Sequence, residues 1–72
     1  MRKTYTIEDA QRAGWGERAR DFAYWMNRFI AALSAYGLDW ETWDFDTASG
    51  YEMGFDPEDF AVECQADVKE SI

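Results

Sequence analysis

The segment from Glu17 to Tyr36 constrains the fold more than any other part of the chain. Its large apolar side chains recur at i, i+4, i+7, i+8 and i+11, which is the spacing of one face of an α-helix. These side chains are Phe22, Met26, Phe29, Ile30 and Leu33. Gly37 follows directly, where a helix favours a residue that tolerates a left-handed conformation. The pattern therefore predicts a long amphipathic helix whose apolar face the rest of the chain must cover.

A shorter helix is predicted before this one. Thr6 is a suitable N-cap, and acidic side chains follow it in the first turn, where the helix dipole favours them. Residues 7–13 then form the helix, which ends at Gly14. Trp15 lies between two glycines, and we expect it to fold back onto the core. A single long helix with a kink at this point remains an alternative, but two helices are favoured.

After Gly37 the apolar residues alternate with polar ones, as they do in half-buried strands. Alternation runs through residues 42–47 and again through 51–56, and Ala48-Ser49-Gly50 between them has the composition of a turn. The two runs predict a hairpin with one aromatic face and one acidic face. Residues 38–41 have the opposite phase, which indicates a connecting loop or a bulge.

The last segment, residues 57–71, fits two interpretations. Asp56-Pro57-Glu58-Asp59 is typical of a helix start, with an N-cap, a proline at the first position and acids in the first turn. Residues 60–68, however, also alternate strictly. Because a two-stranded hairpin alone is marginally stable, a third strand is favoured over a helix. The inner face of this sheet would carry Trp43, Phe45, Tyr51, Met53, Phe55, Phe60, Val62 and Val68.

The predicted fold class is therefore α+β, with two N-terminal helices packed on a three-stranded antiparallel β-meander. Seventy-two residues make one compact domain, 1–72, near the lower size limit for a self-sufficient core. Aromatic residues at 18% compensate, because large rings bury much area per residue. The single cysteine, Cys64, cannot form an intramolecular disulfide, and no apolar run approaches the roughly 18 residues of a membrane span. A soluble protein of a reducing cytoplasm is expected.

The sequence predicts no enzyme, no metal site and no cofactor. It contains no histidine, and no nucleophile or phosphate-binding motif is present. Asp44 and Asp46 on one strand face would lie about 6.7 Å apart, as in a glycosidase pair, but so short a chain has little room for a substrate cleft. The same residues begin like a calcium loop, yet Gly50 falls at the seventh position instead of the sixth.

The charge distribution carries the functional prediction. The net charge is −8, and residues 1–37 carry +2 while residues 38–72 carry −10, with eleven acidic side chains against Lys69 alone. Carboxylates spaced about 5–7 Å apart across a sheet face would imitate the phosphates of DNA and occupy a channel lined with Lys and Arg. The expected partner-binding residues are Asp44, Asp46, Glu52, Asp56, Glu58, Asp59, Glu63 and Asp67. Direct binding of nucleic acid is not expected, because the basic residues are few and scattered.

In size and charge pattern the chain resembles the small acidic anti-defence proteins of bacteriophages, which include anti-CRISPR proteins and anti-restriction DNA mimics. The resemblance rests on the acidic residues 39–70 and on the aromatic composition. It implies a stoichiometric inhibitor that blocks the DNA-binding surface of a host complex, such as a type I CRISPR surveillance complex or a single-protein effector nuclease. The alternative is a protein-interaction module that uses Trp15, Trp40 or Tyr36 as an anchor, with the acidity serving solubility.

Overall fold

The computed structural model describes residues 4–43 and 45–71, and all the regular secondary structure within them is helical. Its elements are α1 (Ile7–Arg12), a 3-10 turn (Gly16–Arg18), α2 (Ala19–Ala35), α3 (Thr47–Glu52) and α4 (Pro57–Ser71). α2 is central, because α1, the 3-10 turn, α3 and α4 all pack against it. No strand forms in the described residues, so the predicted α+β fold with a three-stranded meander is wrong. None of the described helices is both long and apolar enough to cross a membrane.

The predicted face of α2 is confirmed as the centre of the core. Its five predicted side chains are each at most 3% exposed: Phe22, Met26, Phe29, Ile30 and Leu33. The helix ends as the glycine predicts, since Gly37 has φ +78°. Its N–H donates to Ser34 O at 2.9 Å, and the N–H of Leu38 donates to Leu33 O at 3.0 Å. These two bonds satisfy carbonyls that the end of a helix otherwise leaves open.

The predicted N-terminal helix and the break after it are also confirmed. Thr6 caps α1, and its Oγ1 accepts from the N–H of Asp9 at 3.0 Å while the Asp9 carboxylate accepts from the Thr6 N–H at 3.1 Å. Two helices form instead of one kinked helix. Trp15 stacks on Phe22 with ring centroids 4.0 Å apart, so it folds onto the core as expected.

The predicted hairpin is replaced by a loop and α3. Asp46 is the N-cap of α3, and its carboxylate accepts from the N–H of Ser49 at 3.3 Å and from the Ser49 hydroxyl at 2.8 Å. The expected turn, Ala48-Ser49-Gly50, therefore lies inside a helix. Two aromatic rings of the supposed strands pack on α2 instead of in a sheet. Phe45 meets Phe29 at 6.0 Å between centroids, and Tyr51 meets Phe22 at 5.2 Å.

The last segment is a helix, so the strand that was favoured for it is also wrong. Pro57 occupies the first position of α4, and the Asp56 carboxylate accepts from the N–H of Glu58 at 3.0 Å. The buried positions follow the helical spacing i, i+3, i+7, namely Ala61, Cys64 and Val68. Three members of the predicted inner sheet face are exposed instead: Met53 (72%), Val62 (44%) and Phe55 (37%).

Candidate acidic interface

One face of α4 carries a row of exposed carboxylates. The buried residues of α4 occupy one side of the helix, and the opposite side carries acids at i, i+4, i+8 and i+11. We call these residues the α4 acidic stripe: Asp59, Glu63, Asp67 and Glu70. All four are exposed. With a rise of 1.5 Å per residue, the stripe extends roughly 16 Å along the helix axis, with steps of roughly 6 Å between most neighbours.

The stripe does not help α4 to form. Like charges at i, i+4 destabilise a helix by a few tenths of a kcal/mol per pair, and two such pairs link Asp59, Glu63 and Asp67. Glu70 lies in the last turn, where the negative end of the helix dipole disfavours a carboxylate. Only Lys69 among the residues of α4 is basic. Asp59 lies in the first turn, where the helix dipole favours a carboxylate, but helix stability gives no reason for acidic residues at Glu63, Asp67 and Glu70.

The other predicted acids are held in ion pairs with arginines of the N-terminal half. Glu52 lies 3.4 Å from the Arg18 guanidinium. Glu58 accepts from Arg28 Nε at 3.0 Å and from a second nitrogen of the same group, and Asp56 lies 3.8 Å from it. Three of the predicted partner-binding residues, at the end of α3 and the start of α4, thus pair with arginines, and three others lie on the outward-facing stripe.

The Arg28 contacts also shift two pKa values. A hydrogen bond to the Glu58 carboxylate is the main reason that the pKa of Arg28 is raised above its ordinary value. The pKa of Asp56 is lowered, chiefly by hydrogen bonding with the Glu58 side chain and then with its backbone, with the Arg28 charge adding to the effect. The Asp56 carboxylate therefore stays ionised near neutral pH. The pairing of Arg28 with Glu58 links α4 to α2 at the surface.

Two predicted acids do not join the stripe. Asp46 caps α3, and Asp44 lies outside the described residues. The strand face that was expected to pair these two carboxylates does not form. Among residues 4–43 and 45–71, no group of three or more histidine, cysteine or acidic side chains is placed to hold a metal ion.

Sequence reasoning missed Glu70 as a member of the stripe. Its position is visible only when residues 57–71 are placed on a helix, because it follows Asp59 by eleven residues. Of the proposed aromatic anchors, Trp15 and Trp40 pack against the core, while Tyr36 is 47% exposed. Tyr24, which was not proposed as an anchor, is 66% exposed.

Cys64 lies on the buried side of α4. Its side chain is 5% exposed, and burial raises the pKa of its thiol from 9.0 to about 11, with Asp67 and Glu63 adding to the shift. A thiolate is the reactive form of cysteine, so a raised pKa lowers its reactivity. This position contributes packing between α4 and α2.

The raised pKa of Cys64 predicts a loss of stability at alkaline pH. As the pH rises from about 9 to 11, the unfolded chain loses the thiol proton first, so the free energy of unfolding falls over this window. Urea unfolding at several pH values measures the slope. The Cys64→Ala variant should lack this component of the slope while keeping the contribution of Tyr5, whose pKa is also raised by burial. Equal slopes for the two proteins would contradict the assignment.

Comparison with protein-family models, with curated proteins and with solved structures finds no match to this chain. The function is therefore inferred from the fold and the surface of the protein. Together they define a small all-α domain, built around α2, that displays a row of carboxylates on its last helix.

Proposed function

We propose that the protein is a non-enzymatic inhibitor that uses the α4 acidic stripe to imitate DNA and to block the DNA-binding surface of a host defence complex. The observation that carries this proposal is the stripe itself, four exposed carboxylates on one face of a packed helix. DNA carries one negative charge per about 1.7 Å of axis, and the proteins that bind it meet that charge with Lys and Arg. Proteins of the anti-CRISPR class act in this way, and the site of action would be the cytoplasm of a bacterial host.

The way in which α4 is held supports this function. The helix is anchored to α2 by its buried residues and by the pairing of Arg28 with Glu58. Its carboxylates are therefore displayed on a preorganised support, and a partner does not have to order a flexible acidic tail. Preorganisation of this kind lowers the entropic cost of binding. Complementary charge also speeds the encounter with a basic partner.

The placement of the charge argues against solubility as its sole purpose. The total net charge of −8 lies at the upper end of the roughly 2–8 that keeps a small domain soluble. Solubility does not require that charge to be concentrated in one half, yet residues 38–72 carry −10 and residues 1–37 carry +2. The arginines that could neutralise acids, Arg18 and Arg28, pair with residues at the end of α3 and the start of α4. Among the described ion pairs, none involves Asp59 or Glu63.

A second candidate is a protein-interaction module with an apolar contact. It is favoured by the exposure of Tyr24 (66%) and Met53 (72%), which is high for large apolar side chains. Aromatic residues are frequent anchors at protein interfaces. A contact of this kind would be insensitive to salt, whereas binding through the stripe weakens steeply as the ionic strength rises.

The stripe is tested by removing three of its charges with Glu63→Gln, Asp67→Asn and Glu70→Gln. Asp59 is kept because it lies in the first turn of α4, where a carboxylate stabilises the helix. We expect the triple variant to fold but to lose most of its ability to displace duplex DNA from purified CRISPR surveillance complexes and effector nucleases. The magnitude of the slope of log K against log salt concentration, where K is the binding constant of the inhibitor, should fall by about 2–3. Each charge that is removed contributes about 0.9 to this slope. Mobility-shift competition at several salt concentrations measures both effects.

The matched control removes the same charge from the first half of the chain, with Glu8→Gln, Glu17→Gln and Asp21→Asn. These side chains are exposed, and the variant has the same net charge as the stripe variant. Because all three lie in first turns, where a carboxylate stabilises a helix, circular dichroism checks that this variant remains folded. It should inhibit nearly as well as the unchanged protein. Equal loss in both variants would mean that only total charge matters. A wild-type protein that displaces DNA from none of these complexes, or that binds one of them equally well at high salt, would overturn the proposal.

A further inference from the structure

Thr4 and Tyr5 precede the cap residue of α1, and Tyr5 binds to the middle of α2. We call these two residues the N-terminal strap. The Asn27 side chain accepts from the N–H of Tyr5 at 2.9 Å and donates to the carbonyl of Tyr5 at 2.8 Å, as a neighbouring strand would do. The Tyr5 ring meets Phe22 and Trp40 edge to face, at 5.6 and 5.9 Å between centroids. The strap therefore links α2 to the loop that carries Trp40.

The turn of this loop, residues 38–43, is held from within. The Asp39 carboxylate accepts from the N–H of Glu41 at 3.1 Å and from the Thr42 hydroxyl at 3.3 Å, and all three residues are exposed. Side chains of the loop also line a cavity of about 480 Å³, so the loop is not closely packed along its whole length. Segments that bury few apolar contacts open locally at a lower free energy than the core of a protein.

One polar group is left unsatisfied in the part of the loop that the strap contacts. The indole N–H of Trp40 is buried and has no hydrogen-bond acceptor among the described residues. A buried donor without a partner costs free energy, and contact with water removes that cost. Tyr5 packs against the Trp40 ring, so release of the strap would uncover part of the indole. The closed arrangement therefore carries a cost that opening relieves.

We propose that the N-terminal strap and the loop 38–43 open together and uncover Trp40 while the helices stay folded. Each end of the opening unit is bounded by a helix cap. Thr6 caps α1 directly after the strap, and the N–H of Leu38 binds the end of α2 directly before the turn of the loop. The two hydrogen bonds of one asparagine thereby control the exposure of a tryptophan. This device uses no residue of the α4 acidic stripe and is independent of the proposed mimicry of DNA.

The test is hydrogen exchange of the full chain, followed by NMR. It compares the Tyr5 amide and the Trp40 indole N–H with the amides of Phe29 and Ile30, which are buried in α2. Local opening predicts that the first two groups are protected at least about 100-fold less than the amides of α2, and that low urea concentrations do not accelerate their exchange. Equal protection of all four groups would overturn the proposal, because only global unfolding would then expose Trp40. Complete lack of protection at Tyr5 and Trp40 would also overturn it, because the closed state would not form.

Asn27→Ala removes both hydrogen bonds of the strap without weakening α2, because alanine has a higher helix propensity than asparagine. In this variant the Tyr5 amide and the Trp40 indole N–H should each exchange at least about 10-fold faster, while the Phe29 amide keeps its rate. Arg20→Ala, at an exposed position of the same helix, is the matched control and should leave all three rates unchanged. If Asn27→Ala accelerates exchange at Tyr5 but not at Trp40, the strap and the loop do not open together and the proposal fails. Equal acceleration at Phe29 would mean that Asn27 acts on global stability, and the proposal would fail as well.

Discussion

Replacing Phe29 with alanine is expected to leave much of the protein unfolded at room temperature. Phe29 is fully buried, and its ring lies 5.5 Å from that of Trp25 and 5.4 Å from that of Phe60. Truncating a buried phenylalanine costs about 3–5 kcal/mol, because the transfer free energy is lost and a cavity remains. A 72-residue domain has a total stability of about 4–11 kcal/mol at 0.05–0.15 kcal/mol per residue. Urea unfolding followed by circular dichroism measures the loss.

The control for this prediction is Tyr24→Ala on the same helix. Tyr24 is 66% exposed, so its truncation removes little buried area and should change the free energy of unfolding by less than about 1 kcal/mol. Because alanine has a higher helix propensity than either ring, propensity cannot cause a loss, and similar losses for both variants would show that the burial of Phe29 has no special effect. A Phe29→Ala protein with nearly unchanged stability would contradict the position of α2 at the centre of the core.

The N-terminal half was predictable because its signals are local and repeated. α2 contains five turns of a consistent apolar face, and its C-terminal stop at Gly37 is adjacent in sequence. The cap of α1 is likewise formed between Thr6 and Asp9, three residues apart. Signals of this kind do not depend on the partner against which the helix packs.

The second half was predicted wrongly because short alternating segments fit two periods. In residues 60–68 a strand would bury Val62, while a helix buries Ala61. Valine is larger than alanine and gains more from burial, so hydrophobicity alone favours the strand. The structure buries Ala61 completely and leaves Val62 44% exposed, and a small side chain at the contact lets α4 approach α2 closely. The deciding factor is thus a tertiary contact with a helix about 30 residues earlier.

The candidate site was predictable in composition but not in arrangement. Counting charges identifies the acidic half, and Asp59, Glu63 and Asp67 were all named. That Glu52 and Glu58 are paired with arginines follows from contacts 34 and 30 residues apart, which no local pattern reveals. The contacts of Trp40 with Tyr5 and of Phe45 with Phe29 were missed for the same reason.

Gly50→Ala is expected to destabilise the protein, although the same change at an exposed helical site stabilises by about 1 kcal/mol. Gly50 lies in α3 with a negative φ, so the backbone itself would accept alanine. A Cβ at this position would lie 2.8 Å from two ring atoms of Phe60. The ring cannot easily move away, because Trp25 and Phe55 hold it at centroid distances of 5.7 and 5.5 Å. Overpacking of this kind costs about 1–3 kcal/mol.

A double-mutant cycle distinguishes this clash from any effect on helix propensity. Phe60→Leu removes the ring that the new methyl group meets, so Gly50→Ala in that background should be neutral or stabilising. The free energies of unfolding of the four proteins, measured in urea, give the coupling energy between positions 50 and 60. This coupling energy should offset most of the destabilisation that Gly50→Ala causes alone. A stabilising effect of Gly50→Ala in the unchanged protein would mean that α3 does not pack against α4 at this point. The close contact between Gly50 and Phe60 would then be wrong. It would also no longer explain why Gly50 lies inside a helix instead of in a turn.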